Sequence, residues 1–256
     1  MKSLCGAWLD GLGLQDIDPA LLLTEIVHIP AAVRCTDVSL PGGPMLAVKR
    51  ETRPARALLR FAVHEEEAVR RAQLLERAAA WALRGGRLTV SDRPGQALRV
   101  RCTELPEHST LHWTKEMTLA FEGRPQPLWR DLLPRTAGIT GRSGSADIWA
   151  PGCGVSPVSV TLQAQGRLTA VRFSAGESFI EMEGLQMDKG ERLTLGESEE
   201  TGFTEIRREL TGEPLLAKRT ARSSDRLCLP AGRRGHLSLS ADADVNALFE
   251  VWGVHP

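Results

Sequence analysis

The residues that could do chemistry are few and scattered. His108 and His112 lie four apart, a spacing that on a strand puts two imidazoles on one face, with Cys102 shortly before them. Three such ligands could begin a zinc site, but no fourth is in view. His108 also precedes the expected strand, so the pair reads as a loop histidine and a solvent-facing one. Glu197, Glu199 and Glu200 crowd the stretch GESEETG. They lack the Asp-rich spacing of a calcium loop and read as a solvated turn. The arginines of RTARSSDR, residues 219–226, could take a phosphate or carboxylate, though a surface loop or subunit contact is the expected use. There is no G-x-x-x-x-G-K-[ST] loop and no G-x-G-x-x-G between a strand and a helix. Nor is there a G-x-S-x-G elbow, since Gly141-Arg142-Ser143-Gly144 belongs to a Gly-rich stretch. No catalytic residue, cofactor or metal is expected.

Composition narrows the classes further. The 256 residues are 42% hydrophobic and 25% charged, enough for one large domain or two ordinary ones. Lys+Arg and Asp+Glu both total 32. A general nucleic-acid binder would carry a basic excess to neutralise phosphates, so that class is disfavoured. Lysine appears only at Lys2, Lys49, Lys115, Lys189 and Lys218, a bias that reads as coding composition. Cys5, Cys35, Cys102, Cys153 and Cys228 are odd in number and widely spaced, which fits thiols in a reducing compartment. Asp10, Asp16 and Asp18 interrupt the N-terminal apolar patch, and no long apolar span follows, so neither export signal nor membrane helix is expected. The tryptophans Trp8, Trp81, Trp113, Trp129, Trp149 and Trp252 are dispersed and read as core residues.

One helix is expected, over residues 65–84, EEEAVRRAQLLERAAAWALR. Ala68, Ala72, Leu75, Ala79 and Ala82 recur at spacings of four and three, with Leu74, Ala78 and Trp81 widening the stripe. Ala72, Leu75, Ala79 and Ala82 should therefore lie on a sheet, and Arg77 on the wet face. Most of the remainder reads as strand. Residues 97–103 alternate, with Leu98, Val100 and Cys102 opposite Arg99, Arg101 and Thr103. Residues 111–122 do the same, with Trp113, Met117, Leu119 and Phe121 on the core face. Such alternation implies antiparallel strands wetted on one side. Between residues 134 and 157 glycines replace large apolar residues, which reads as an interdomain linker. Beyond it, short strands separated by glycine turns read as a β-sandwich. The expected division is 1–133, a linker at 134–154, and 155–256.

The first half carries a specific resemblance. A strand ending RFAV leads through the helix to AAAWALRGGRLTVSDRPGQALRVRC, and then to TELPEHSTLHWTKEMTLAFEGRPQPLW. This order resembles the N-terminal domain of phage distal tail proteins. The D-[RD]-P-[GN] turn of that family corresponds to Asp92-Arg93-Pro94-Gly95, where Pro94 presets φ and Gly95 permits φ > 0. The second half, PVSVTLQAQGRLTAVRFSAGESFIEMEGLQMDKGERLTL, resembles the family's galectin-like sandwich.

The resemblance implies a mainly β protein: a tail-tube-like β-barrel or split sheet with one flanking helix, followed by a galectin-like sandwich. It implies a structural, non-enzymatic protein of the virion tail, made in the bacterial host cytoplasm and forming a homohexameric ring. The partners would be the tail tube protein, a tip protein and the tape-measure protein, with DNA only passing through the channel. Some relatives insert a carbohydrate-binding module, for which this chain has no room. Two rivals remain: a saccharide-binding sandwich for host-surface recognition, which needs a groove with exposed aromatics, and a tail-tip hydrolase, which needs a convergent acid–base set.

Overall fold

A computed structural model describes residues 5–39, 45–105 and 117–256, without the side chains of residues 33–52. The chain divides into two compact units: Met1–Leu132 together with Pro256, and Leu133–His255.

The first unit is an antiparallel sheet with one long helix against it. In chain order its elements are β1 (Ala7–Leu9), β2 (Leu12–Gly13), the one-turn helix α1 (Leu14–Ile17), β3 (Leu21–Ile29), β4 (Ala32–Ser39), β5 (Met45–Arg53) and β6 (Arg56–Val63). The helix α2 (Ala68–Leu83) follows, then β7 (Gly86–Val90), β8 (Gln96–Glu104), β9 (Met117–Gly123) and β10 (Trp129–Asp131). The sheet order is β2-β1-β7-β8-β9-β6-β3, and β10 pairs with β8. Strict alternation puts Ala57, Leu59 and Phe61 of β6 inside, beside Leu119 and Phe121 of β9 and Leu98 and Val100 of β8. Among the described strands, β4 and β5 pair only with each other.

The second unit is built on two long strands. β11 (Arg135–Trp149) runs antiparallel to β18 (Arg234–Val251) along its whole length, with a bulge between Gly141 and Ser143. Between them in sequence lie β12 (Val155–Ala164), β13 (Leu168–Ala175), β14 (Ser178–Met187), β15 (Arg192–Glu197), β16 (Thr204–Arg208) and β17 (Cys228–Pro230). The first half of β18 pairs with β13, and its second half with β12. The pair β11–β18 is thus shared between a β14-β13 layer and a β16-β15-β12 layer. Their inward residues, including Phe173, Phe249, Leu162, Ile180 and Leu193, form one core, the arrangement of a sandwich.

Two expectations are corrected here. The Gly-rich stretch 134–154 is not a linker: most of it is β11. The ladder to β18 satisfies the backbone, Gly144 leaves room for Ile139, where a Cβ would come within 2.7 Å, and Ile139 and Ile148 are buried. Nor are all the strands beyond it short: β18 runs for 18 residues, because SADAD at 240–244 is polar without breaking the ladder.

Candidate assembly surfaces

The long helix buries Leu74, Leu75, Ala78, Trp81 and Ala82, whereas Ala72 and Ala79 are half-buried and Ala68 is exposed. The buried stripe is therefore turned from the expected alanine line toward Leu74 and Trp81. Their larger apolar area gains more from burial than a methyl does. The Trp81 indole meets Phe121 edge-on, ring centroids 6.0 Å apart, and its N–H donates to the Leu12 carbonyl at 2.9 Å. Arg77 is exposed but not idle. It donates to the Ile17 carbonyl at 2.6 Å and lies 3.6 Å from the Asp18 carboxylate, so it ties the helix to the segment after α1.

Asp92, Arg93, Pro94 and Gly95 form the turn from β7 to β8, and Gly95 has φ +81. A side chain there would meet no atom, so the demand for glycine is conformational. The turn is anchored from several sides. Asp92 pairs with His28 Nε2 at 2.8 Å, and the Arg93 guanidinium lies 5.1 Å from the centroid of Trp129. His28 meets the same Trp129 edge-on at 5.4 Å. Since β3 and β7 are separated by three strands in the sheet order, these contacts require the sheet to curl strongly. Sequence reasoning missed His28 and the role of Trp129, because nothing in their spacing announces a contact across the curl.

Met117, Leu119 and Phe121 are buried on β9. Trp113, His108 and His112 lie outside the described residues. On the opposite face of the sheet two ion pairs join different strands, Arg60–Glu25 at 2.6 Å and Arg56–Glu104 at 3.0 Å, and Arg124, just beyond β9, lies 2.8 Å from Glu122. Such exposed pairs add little stability, so this face is better understood as a patterned surface than as a stabilising device.

In the second unit the GESEETG stretch ends β15 and turns into β16, with Gly202 at φ +74. The RTARSSDR loop lies along the outer edge of β14. Ser223 Oγ accepts the Glu181 N–H, Ser224 Oγ accepts the Phe179 N–H, and the Thr220 and Ser224 N–H groups donate to the carbonyls of Glu181 and Phe179. Arg208, mostly buried, holds Glu191 at 2.6 Å, Glu213 at 3.1 Å and the Gln186 carbonyl at 3.0 Å. The Asp188 N–H, and then Arg208, draw the Glu191 carboxyl below its usual range, and Glu191 raises Arg208 in turn. At Asp242 burial pushes the pKa up, but hydrogen bonds from Thr169 and the Ala170 backbone outweigh it and the net shift is downward.

Among the described residues no group of three His, Cys, Asp or Glu side chains could hold a metal ion. No described helix is long and apolar enough to cross a membrane. No protein-family model matches the chain. No curated protein matches it by sequence either. Solved structures do. The SPP1 Dit (gp 19.1) protein, described as a paradigm of the hub adsorption apparatus in phages infecting Gram-positive bacteria, superposes with a TM-score of 0.71. That match covers 97% of this chain and 98% of the other, at 13% identity.

The fold is that of the SPP1 Dit protein.

A chain of the phage P2 baseplate in its activated conformation with Ca gives a TM-score of 0.55 at 8% identity, covering 97% of this chain and 98% of that one. The Sr form of that baseplate gives the same score and identity, with 97% of each chain covered. The Dit-like fold includes both units, since coverage on both sides is nearly complete.

Proposed function

We propose that this chain is a structural component of the distal end of a phage or prophage tail and has no enzymatic role. The observation that carries the reading is the end-to-end likeness to the SPP1 Dit protein, with both units present and nothing large inserted. In this reading the chain forms a homohexameric ring through its first unit. The ring joins the tail tube to the tip proteins and surrounds a channel for the tape-measure protein and DNA. The hairpin β4–β5 supports self-association: an isolated two-stranded hairpin is marginal in water, and a neighbouring copy would supply what its own sheet does not. Zero formal net charge supports it too, because overall repulsion does not oppose contact between complementary patches. Residues 1–133 and 155–256 are proposed as belt and sandwich domains, with β11 completing the latter.

Antibody raised against the chain should decorate the distal tip of tails in negative-stain micrographs of virions from a producing strain. Decoration of the capsid or of the whole tail length, or unlabelled particles, would overturn the assignment.

A further inference from the structure

The second unit leaves one long strand edge open. β11, 15 residues long, pairs with β18 and with no other described strand. The end strands β14 and β16 are instead covered, by the strap at 220–224 and by Leu215. Among the described residues no group outside the ladder to β18 is hydrogen-bonded to the β11 backbone. A strand paired on one side points about half of its N–H and C=O groups the other way. Such edges are usually blunted by shortness, proline, lysine or a bulge. β11 contains neither proline nor lysine, and its bulge between Gly141 and Ser143 leaves the edge at 135–141 regular.

That half carries a second mark. Gly138 does not have a positive φ, and an added Cβ there would meet no atom. Neither backbone conformation nor packing within this chain calls for the glycine. A glycine inside a strand then marks close approach by another chain. Opposite Gly138 on β18 stands Leu248, an exposed large hydrophobic. The missing side chain therefore leaves a dent beside an apolar wall, with the exposed Thr136 and Thr140 before and after it on β11. A side chain of an added strand, placed opposite Gly138, would fill the dent and cover Leu248.

Charge chooses the occupant. Arg135 and Arg142 stand at the two ends of this half, roughly 23 Å apart at about 3.3 Å per residue, with no acidic residue between them. Both are exposed, and Arg142 meets Asp244 only at 3.6 Å. Glu250, opposite Thr136 on β18, is engaged by the Ser159 hydroxyl. A second copy of β11 fits poorly. Paired antiparallel about Gly138, it would set Arg135 beside Arg142 at both ends and leave two glycines facing each other.

We infer that residues 135–141 are a docking edge for an extended, acidic segment of another protein, which adds a strand to the sandwich. Its carboxylates meet Arg135 and Arg142, and an apolar side chain between them sits over Gly138 against Leu248. The inference concerns the second unit alone and does not rest on ring formation. The test takes the immobilised full chain through selection from a displayed library of random peptides of about ten residues. Enriched peptides should carry an acidic residue toward each end and a large apolar one between. In solution they should slow amide hydrogen exchange at residues 135–141 and leave the first unit unchanged. Arg135→Glu combined with Arg142→Glu should weaken binding at least tenfold, and Gly138→Leu, which fills the dent, at least threefold, both at an unchanged melting temperature. Enrichment without an acidic pattern, protection elsewhere in the chain, or affinity unchanged by the double charge reversal would each overturn the site. Protection of 135–141 that rises with the concentration of the chain alone would give the edge to a second copy and overturn it too.

Discussion

In the sandwich unit β14 and β16, the ends of the strand order, are covered by the chain itself. Arg208 N–H and Leu215 N–H bond with the Glu213 and Ile206 carbonyls along β16, and the Thr220–Ser224 strap does the same for β14. The helix-backed unit is arranged differently. One helix covers one sheet face, the other face carries crossed ion pairs, and the β4–β5 hairpin joins no third described strand. Covered edges protect a sheet from pairing with other chains. A hairpin without a sheet does the reverse, since its stability waits on a neighbour. The contrast fits the proposed division of tasks, in which the sandwich core is finished within one chain and the first unit is completed by assembly.

If the units keep separate cores, a large cavity in one should leave the other intact. Phe249→Ala should cost the second unit about 3–5 kcal/mol, because Phe249 is fully buried against Phe173. Hydrogen exchange resolved by peptide should show the loss between residues 133 and 255 and spare the first unit. Equal loss in both units would mean a single cooperative body.

Within the first unit, Leu75→Ala should cost about 2–5 kcal/mol, as Leu75 is buried in the helix–sheet core. Arg77→Ala should cost less, about 0.5–1.5 kcal/mol, for its bond to the Ile17 carbonyl. Urea unfolding of both variants checks the order, and a reversed order would put the helix on the sheet by a different face.

Two hydrogen-bonded carboxylates of the sandwich predict an acid response. Glu191 and Asp242 both have folded pKa values below their unfolded ones. Their contribution is present above the ordinary carboxylate range and is lost as the pH falls through the folded values. The urea midpoint of the second unit should therefore drop between pH 7 and pH 3, and Asp242→Asn should flatten that drop. A midpoint independent of pH, or one as steep in the variant, would contradict it. Smallest in effect, Gly95→Ala forces alanine to φ +81 and should cost about 1 kcal/mol by thermal melting.

Much of this contrast was legible in the sequence, for physical reasons that also explain where reading failed. Alternation along β8 and β9 is readable because one face holds the large apolar residues, although the small Ala97 and Ala120 of the other face are buried too. The turn at Asp92–Gly95 shows in its proline and glycine. β3 shows no regular alternation, since its bulge between Leu23 and Glu25 breaks the period of two. β11 was missed since a strand supported by a long neighbour needs few large side chains of its own. The helix was found, but its inward face was set by Leu74 and Trp81, whose bulk outweighs a regular line of alanines. Gly138 and Leu248 come from two strands that only the register brings together.

The claim that assembly resides in the first unit is tested most directly by electron microscopy of the purified chain over a range of concentrations, beside a fragment of residues 133–256. The full chain should form six-fold rings as concentration rises, and the fragment should stay monomeric. A full chain that remains monomeric at high concentration even with tail tube protein present, or rings built by the fragment alone, would contradict the account.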